Sequence, residues 1–164
     1  MPAIEEASTL ADVVRVQGKA RGNATAFEFE GRVTSFAGFD RNTNRVARAL
    51  IAAGVKPNER IAYLGKNSDY YFELLFGAMK AGVVMAPVNW RLAGPEIAYI
   101  VEDCKAAILF VGPEFVEQAR AIEPQIKSVR EIMTTEGGAP EWKDFAAWRN
   151  AQPSDDPNTP VDES

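Results

Sequence analysis

Polar and apolar positions change period several times along the chain, and each change marks an element. From Thr9 to Ala20, Leu10, Val13, Val14 and Gln17 fall on one side. This predicts a helix with Ser8 or Thr9 as its N-cap, weakened at its end by Gly18 and Gly22. Ala26 to Glu30 alternates apolar and polar, the pattern of a half-exposed strand. Gly31-Arg32 then supply a hairpin turn into Val33-Thr34. Thr34 or Ser35 caps the clearest helix, where Phe36, Phe39, Thr43, Val46, Ala47, Leu50 and Ile51 recur at helical spacing. Gly54 stands where a left-handed C-terminal cap belongs, and Pro57 follows.

The second half alternates strand and helix. Arg60–Leu64 is a short strand, and Asn67-Ser68 opens a helix over Asp69–Ala81. That helix is apolar on nearly all sides, which predicts extensive burial. Gly82 ends it. Val83–Val88 and Ala106–Val111 are apolar runs with little alternation, as expected of strands covered on both faces. Between them Pro95 and Glu96 open a helix that runs to Asp103. A short helix over Glu114–Ala121, a strand over Arg130–Met133 and a helix over Glu141–Asn150 complete the set. The order implies an α/β fold: a doubly wound, mostly parallel sheet with helices on both faces, plus a small N-terminal strand pair. Residues 1–150 are expected to form this α/β unit. Residues 151–164, rich in proline and acid, read as a linker or tail.

Composition narrows the chemistry. The 164 residues carry a net charge of −5 and no long basic run, so nothing points to nucleic acid. There is no histidine, which removes Ser-His and Cys-His catalytic pairs and the commonest metal ligand. Cys104 is the only cysteine. It lies on the apolar stripe Ile97, Ile100, Val101, Cys104 and reads as a buried small hydrophobe. No apolar run approaches the ~20 residues of a membrane-spanning helix. The segment MPAIEEASTL has no apolar core of a secretory signal, so a cytoplasmic location is expected.

In open parallel sheets ligands gather outside the carboxyl ends of the strands. Two loops leave such ends: Gly65-Lys66-Asn67-Ser68 and Asn89-Trp90-Arg91-Leu92. Either could hold an anion on backbone N–H groups at a helix start, or merely shape a turn and cap a helix. Arg91 is the planar fork donor suited to phosphate or carboxylate. Thr134 to Pro140 has the look of a Gly/Thr-rich phosphate loop, but it lacks the lysine and Glu136 would repel phosphate. It reads as a surface loop. GxGxxG and GxxxxGK[ST] fingerprints are absent. Glu102-Asp103 reads as a solvated helix end.

Four stretches carry a resemblance: Phe27 to Gly54, Val55-Lys56-Pro57-Asn58-Glu59-Arg60-Ile61-Ala62, Gly77-Ala78-Met79-Lys80-Ala81-Gly82-Val83-Val84-Met85-Ala86-Pro87-Val88-Asn89, and Arg91-Leu92. With a weaker match over Glu96 to Phe110, the chain resembles the N-terminal part of adenylate-forming acyl-CoA synthetases, the AMP-binding superfamily. It looks most like the fatty-acid or aromatic-acid CoA ligases. The resemblance implies an enzyme that joins a carboxylic acid to ATP with magnesium, then passes the acyl group from the adenylate to CoA. It implies Arg91 as a contact to the CoA phosphates. The family's Ser/Thr/Gly-rich loop ending in Pro-Lys-Gly, its aromatic-Gly-x-Thr-Glu motif, its ribose-binding aspartate and its late lysine do not occur in these residues. Hence no catalytic residue and no metal ligand is assigned. The 164 residues alone are expected to be inactive and to bind none of these cofactors tightly. A second reading is a non-catalytic assembly module that self-associates or pairs with a C-terminal half.

Overall fold

The computed structural model describes residues 7–159. The expectations for Met1–Glu6 and for Pro160–Ser164 lie outside the described residues. Helix α1 spans Leu10–Ala20 and starts in a capping box. Thr9 Oγ1 accepts from the Asp12 N–H at 3.2 Å, and the Asp12 carboxylate accepts from the Thr9 N–H at 3.0 Å. Its packed stripe is Ala11 and Val14, while Leu10 stays 61% exposed. Small residues face the neighbouring helix because the two approach closely: a Cβ on Gly18 would stand 2.8 Å from Asp40 Cβ.

Strands β1 (Thr25–Phe29) and β2 (Arg32–Ser35) form an antiparallel hairpin. Its turn lies at Glu30-Gly31, one residue earlier than the sequence suggests. Both residues have positive φ, 47° and 79°, as a twist-matched two-residue hairpin loop requires. Ser35 is the N-cap of α2 (Phe36–Ala52), its Oγ accepting from the Gly38 N–H at 3.1 Å. Gly54 follows with φ 75°.

Five parallel strands make the main sheet: β3 (Arg60–Leu64), β4 (Val84–Val88), β5 (Ala106–Val111), β6 (Glu131–Thr134) and β7 (Lys143–Asp144). They lie in the order β4-β3-β5-β6-β7. Residues on opposite faces of β3, β5 and β6 serve two cores. Ile61, Tyr63, Ile108, Phe110 and Met133 pack with Val46 and Leu50 of α2 and Leu74 and Ala78 of α3 (Asp69–Lys80). On that same face lies Phe145 of α6 (Phe145–Asn150). Ala62, Leu64, Leu109, Val111 and Ile132 pack on the other face with α4 (Gly94–Asp103) and α5 (Val116–Ile122). The doubly wound layout expected from the alternation is the observed one.

Several local readings change. Val84–Val88 is an edge strand, not a covered one. Val84 is 49% exposed and Pro87 is exposed, and proline is tolerated there because an edge needs fewer N–H donors. Helix α3 is amphipathic rather than buried all round, with Phe72 39% exposed. Its buried face includes Glu73 and Lys80, each matched by a partner. Lys80 Nζ donates to Asp40 Oδ1 and Asn44 Oδ1, both at 2.6 Å. The Glu73 carboxylate accepts from Asn42 Nδ2 at 2.7 Å and pairs with the Arg149 guanidinium. Helix α6 begins four residues late. Lys143-Asp144 instead pairs with Met133-Thr134, and Asp144 caps the helix by accepting from the Ala147 N–H at 2.9 Å. Cys104 is half-buried at the end of α4, and burial pushes its thiol pKa up. Glu102 is more than a solvated helix end, since its carboxylate accepts from both the N–H and the hydroxyl of Ser128, at 2.6 and 2.7 Å.

Residues 154–156 lie against α1 and α2. Arg15 donates to both carboxylate oxygens of Asp156 at 2.5 and 3.2 Å. Asn44 Nδ2 donates to the Ser154 carbonyl at 3.0 Å, and Arg48 pairs with Asp155.

Candidate functional site

Strands β3 and β5 are neighbours, yet the chain runs from β3 through α3 to β4 on one side and returns through α4 to β5 on the other. The order of winding therefore reverses between β3 and β5, and helices on opposite faces leave a crevice at their carboxyl ends. A cleft of about 370 Å³ opens there. It is bounded by Tyr63 of β3 with Lys66, Asn67 and Ser68 beyond that strand, Gly112 and Glu114 beyond β5, Thr135 and Glu136 beyond β6, and Phe29 and Glu30 of the hairpin.

Glycines set the floor. A Cβ on Gly65 would stand 2.8 Å from Tyr63 Cζ and Oη, and one on Gly112 would stand 3.2 Å from Gly65 Cα. Only bare backbone lets the Tyr63 ring fold over the strand end and the two loops meet. Tyr63 Oη donates to the Lys66 carbonyl at 2.8 Å, which fixes the loop. Burial pushes the Tyr63 phenol up to about 12. Ser68 caps α3, its Oγ accepting from the Tyr71 N–H at 3.2 Å.

The charges are arranged in pairs around the rim. Lys66 Nζ lies 3.0 Å from Glu114 Oε1, and this contact holds the Glu114 carboxyl below its ordinary range. Arg32 of the hairpin forms a two-pronged pair with Asp69, Nε and Nη2 each donating at 2.7 Å. Its Nη2 also lies 2.7 Å from Glu136 Oε1. The guanidinium sits 5.3 Å from the Phe29 ring centroid and 4.9 Å from that of Tyr70.

Of the two loops singled out from sequence, Lys66, Asn67 and Ser68 line the cleft. The second loop lies alongside it through Trp90, whose ring is 5.6 Å from Lys66 Nζ and 5.6 Å from the Phe115 ring. Arg91 does not line the cleft. Its guanidinium stacks 4.2 Å from the Trp90 centroid, and its N–H donates to Asn89 Oδ1 at 3.1 Å. The side chain is exposed and makes no ion pair among the described residues. Thr134 and Thr135 are buried, so the loop read as purely superficial instead contributes Thr135 and Glu136 to the cleft. The signal for this lay in topology: Thr134 ends a strand beside β5, and the chain leaves the sheet there. Among the described residues no cluster of carboxylate or thiol side chains is placed to hold a metal. No described helix is long and apolar enough to cross a membrane.

An open parallel sheet with its cleft at a switch point defines the doubly wound α/β class, whose ligands bind at the carboxyl ends of the strands. Residues 14–164 match the family model of the AMP-binding enzymes, and the chain belongs to that family, corresponding to the N-terminal part of its acyl-CoA ligases. It is 41% identical over 131 residues to a fatty acid–[acyl-carrier-protein] ligase of Streptomyces coeruleorubidus, covering 78% of this chain and 23% of that protein. It is 40% identical over 105 residues to an indoleacetate–CoA ligase of Aromatoleum aromaticum, covering 64% of this chain and 21% of that protein. The chain thus spans under a quarter of the length of these relatives. The crystal structure of an anthranilate CoA ligase in complex with anthranoyl-AMP superposes with a TM-score of 0.85 at 27% identity. That match covers 94% of this chain and 29% of the ligase.

Proposed function

We propose that the chain is the N-terminal subdomain of an ATP-dependent acid–CoA ligase, which turns a carboxylic acid, ATP and CoA into acyl-CoA, AMP and pyrophosphate through an acyl-adenylate. The observation that carries this reading is the family match over residues 14–164. ATP, magnesium and CoA are the cofactors of the whole enzyme, and the cytoplasm is its expected location. Alone, these 164 residues hold no phosphate-gripping loop and are inactive. Arg91 is the contact to the CoA phosphates. Support comes from its exposure, its freedom from carboxylates among the described residues, and the indole that holds its planar donor fork in place.

ATP–pyrophosphate exchange tests the first claim. The purified chain should show none with any acid, and exchange by the chain alone would refute its inactivity. Joining residues 1–164 to the remaining length of a ligase relative should restore acid-dependent exchange. In that chimera Arg91→Ala should raise KM for CoA about tenfold, the scale of one charge-assisted contact, while exchange, which needs no CoA, stays unchanged. Equal loss in both would remove Arg91 from the CoA site.

A second reading, a non-catalytic module that captures a partner half or a second copy, draws on exposed apolar side chains. Leu10 (61%) and Val84 (49%) border a groove of about 300 Å³ beside the β4 edge. A strictly monomeric profile in light scattering across the micromolar range would count against it.

A further inference from the structure

We propose that the tip of the β1–β2 hairpin is a gate over the cleft and that Arg32 is the positioning residue that latches it. The hairpin is a two-stranded sheet unconnected to the main sheet, and such ribbons are marginal without outside support. Its base is supported. Phe27 packs edge-on against Phe39 at 5.0 Å and lies 6.3 Å from Phe72. Its tip is not: a Cβ on Gly31 would meet nothing within 4 Å, and Val33 is 62% exposed. Yet the tip residues Phe29 and Glu30 form one wall of the cleft.

What holds that wall is Arg32. One guanidinium binds Asp69 at the start of α3 and Glu136 beyond β6, so it ties the hairpin to two of the three other segments around the cleft. Asp69 is only 4% exposed, so its carboxylate depends on this partner. Thr135, next to Glu136, lines the cleft yet is 3% exposed while the latch is shut. Releasing Arg32 from Glu136 frees the 135–138 loop, and releasing it from Asp69 as well frees the tip, while the Phe27 anchor stays in place. The hairpin base is then the hinge, and a ligand that fits the cleft enters past Phe29. The gate is independent of which acid or thiol the ligase uses.

Thiol labelling reads the gate directly. In a Cys104→Ser background, Thr135→Cys places one thiol inside the cleft, and iodoacetamide is the probe. With Arg32 intact, labelling should be slow. Arg32→Gln should speed it about tenfold or more, and Glu136→Gln, which cuts only the loop side of the latch, should speed it less but in the same direction. Both rates should stay flat in low urea, because opening a hairpin tip exposes little surface, whereas global unfolding is steep in urea. If Arg32→Gln does not fold, Glu136→Gln alone decides. No acceleration in Glu136→Gln, or acceleration that carries the urea slope of global unfolding, overturns the gate.

Discussion

Replacing Gly77 by alanine should destabilise the fold, although alanine is the better helix former. Gly77 lies in α3 where that helix crosses α2. An added Cβ would stand 2.5 Å from both Cβ and Cγ1 of Val46 and 3.0 Å from the Thr43 carbonyl oxygen. Carbon atoms prefer a separation of about 3.5–4.0 Å, so the helices must part by about 1 Å. Neither neighbour can yield. Val46 and Thr43 are fully buried, and the Thr43 hydroxyl donates within α2 to the Phe39 and Asp40 carbonyls at 3.0 and 2.9 Å. Propensity favours Gly77→Ala by about 1 kcal/mol. Overpacking costs about 1–3 kcal/mol, and a clash against Cβ and backbone belongs at the upper end. The net loss is then about 2 kcal/mol, a fall in Tm of roughly 4–8 °C for a domain of this size. Urea unfolding followed by circular dichroism measures it. The clash atom includes Val46 Cβ itself, so Val46→Ala should not rescue Gly77→Ala. Val46→Gly should, with a favourable coupling of about 1 kcal/mol or more in a double-mutant cycle. A Gly77→Ala protein as stable as the parent, or rescue by Val46→Ala as complete as by Val46→Gly, would refute the close-crossing account.

Three further outcomes follow from the buried ion pairs and the docked tail. Burial holds the Lys80 pKa below its ordinary 10.5, so the folded state binds fewer protons than the unfolded chain in that window. Stability relative to Lys80→Met should therefore rise with pH from the lowered value up to 10.5; a flat difference in urea midpoints between pH 8 and 10.5 would count against burial as the cause. Burial raises the Glu73 pKa above 4.5 against the pull of Arg149, so the carboxyl favours the folded state below 4.5 and loses that contribution as pH rises through its raised value. Arg149→Met should consequently cost about 3–5 kcal/mol at pH 7 and clearly less at pH 4, where Glu73 takes a proton, with denaturant titrations at both pH values as the check. Asp156→Asn should cost about 1 kcal/mol or less, fading in 1 M salt, and should open the chain after Asn150 to limited proteolysis.

Much of the architecture was legible because it depends on short-range pattern. Helix α2 has apolar residues on one stripe and arginines on the others, with Ser35 and Gly54 as punctuation, so its ends were placed closely. The all-apolar run of β5 signalled a strand covered on both faces, and all six of its residues are buried. The same pattern misled for β4, since a strand apolar enough for the centre of a sheet also suits an edge against which α3 and α4 pack. The two residues of β7 have no pattern at all; they are strand only because Met133-Thr134 offer them a ladder. At the site, Lys66, Asn67 and Ser68 were visible as a strand exit followed by a cap. Arg32 was not, because nothing local distinguishes it from any hairpin arginine. Its partners lie 37 and 104 positions away in the numbering of Asp69 and Glu136.

What these residues determine by themselves is the list of elements, the parallel sheet wound on both faces, and the family. Each rests on period, caps and ordered phrases, which are local in the chain. Tertiary structure decides which strand is the edge, which carboxylate each buried cation meets, and where a cleft forms. Lys80 reaches Asp40, Arg149 reaches Glu73 and Arg32 reaches Asp69 only after α2, α3, α6 and the hairpin have packed. A buried charge must find its partner, but the sequence does not say which of 23 acidic residues will stand within reach. That choice is made by helix crossings as close as Gly77 allows, and by the reversal of winding between β3 and β5 that leaves a cleft above them.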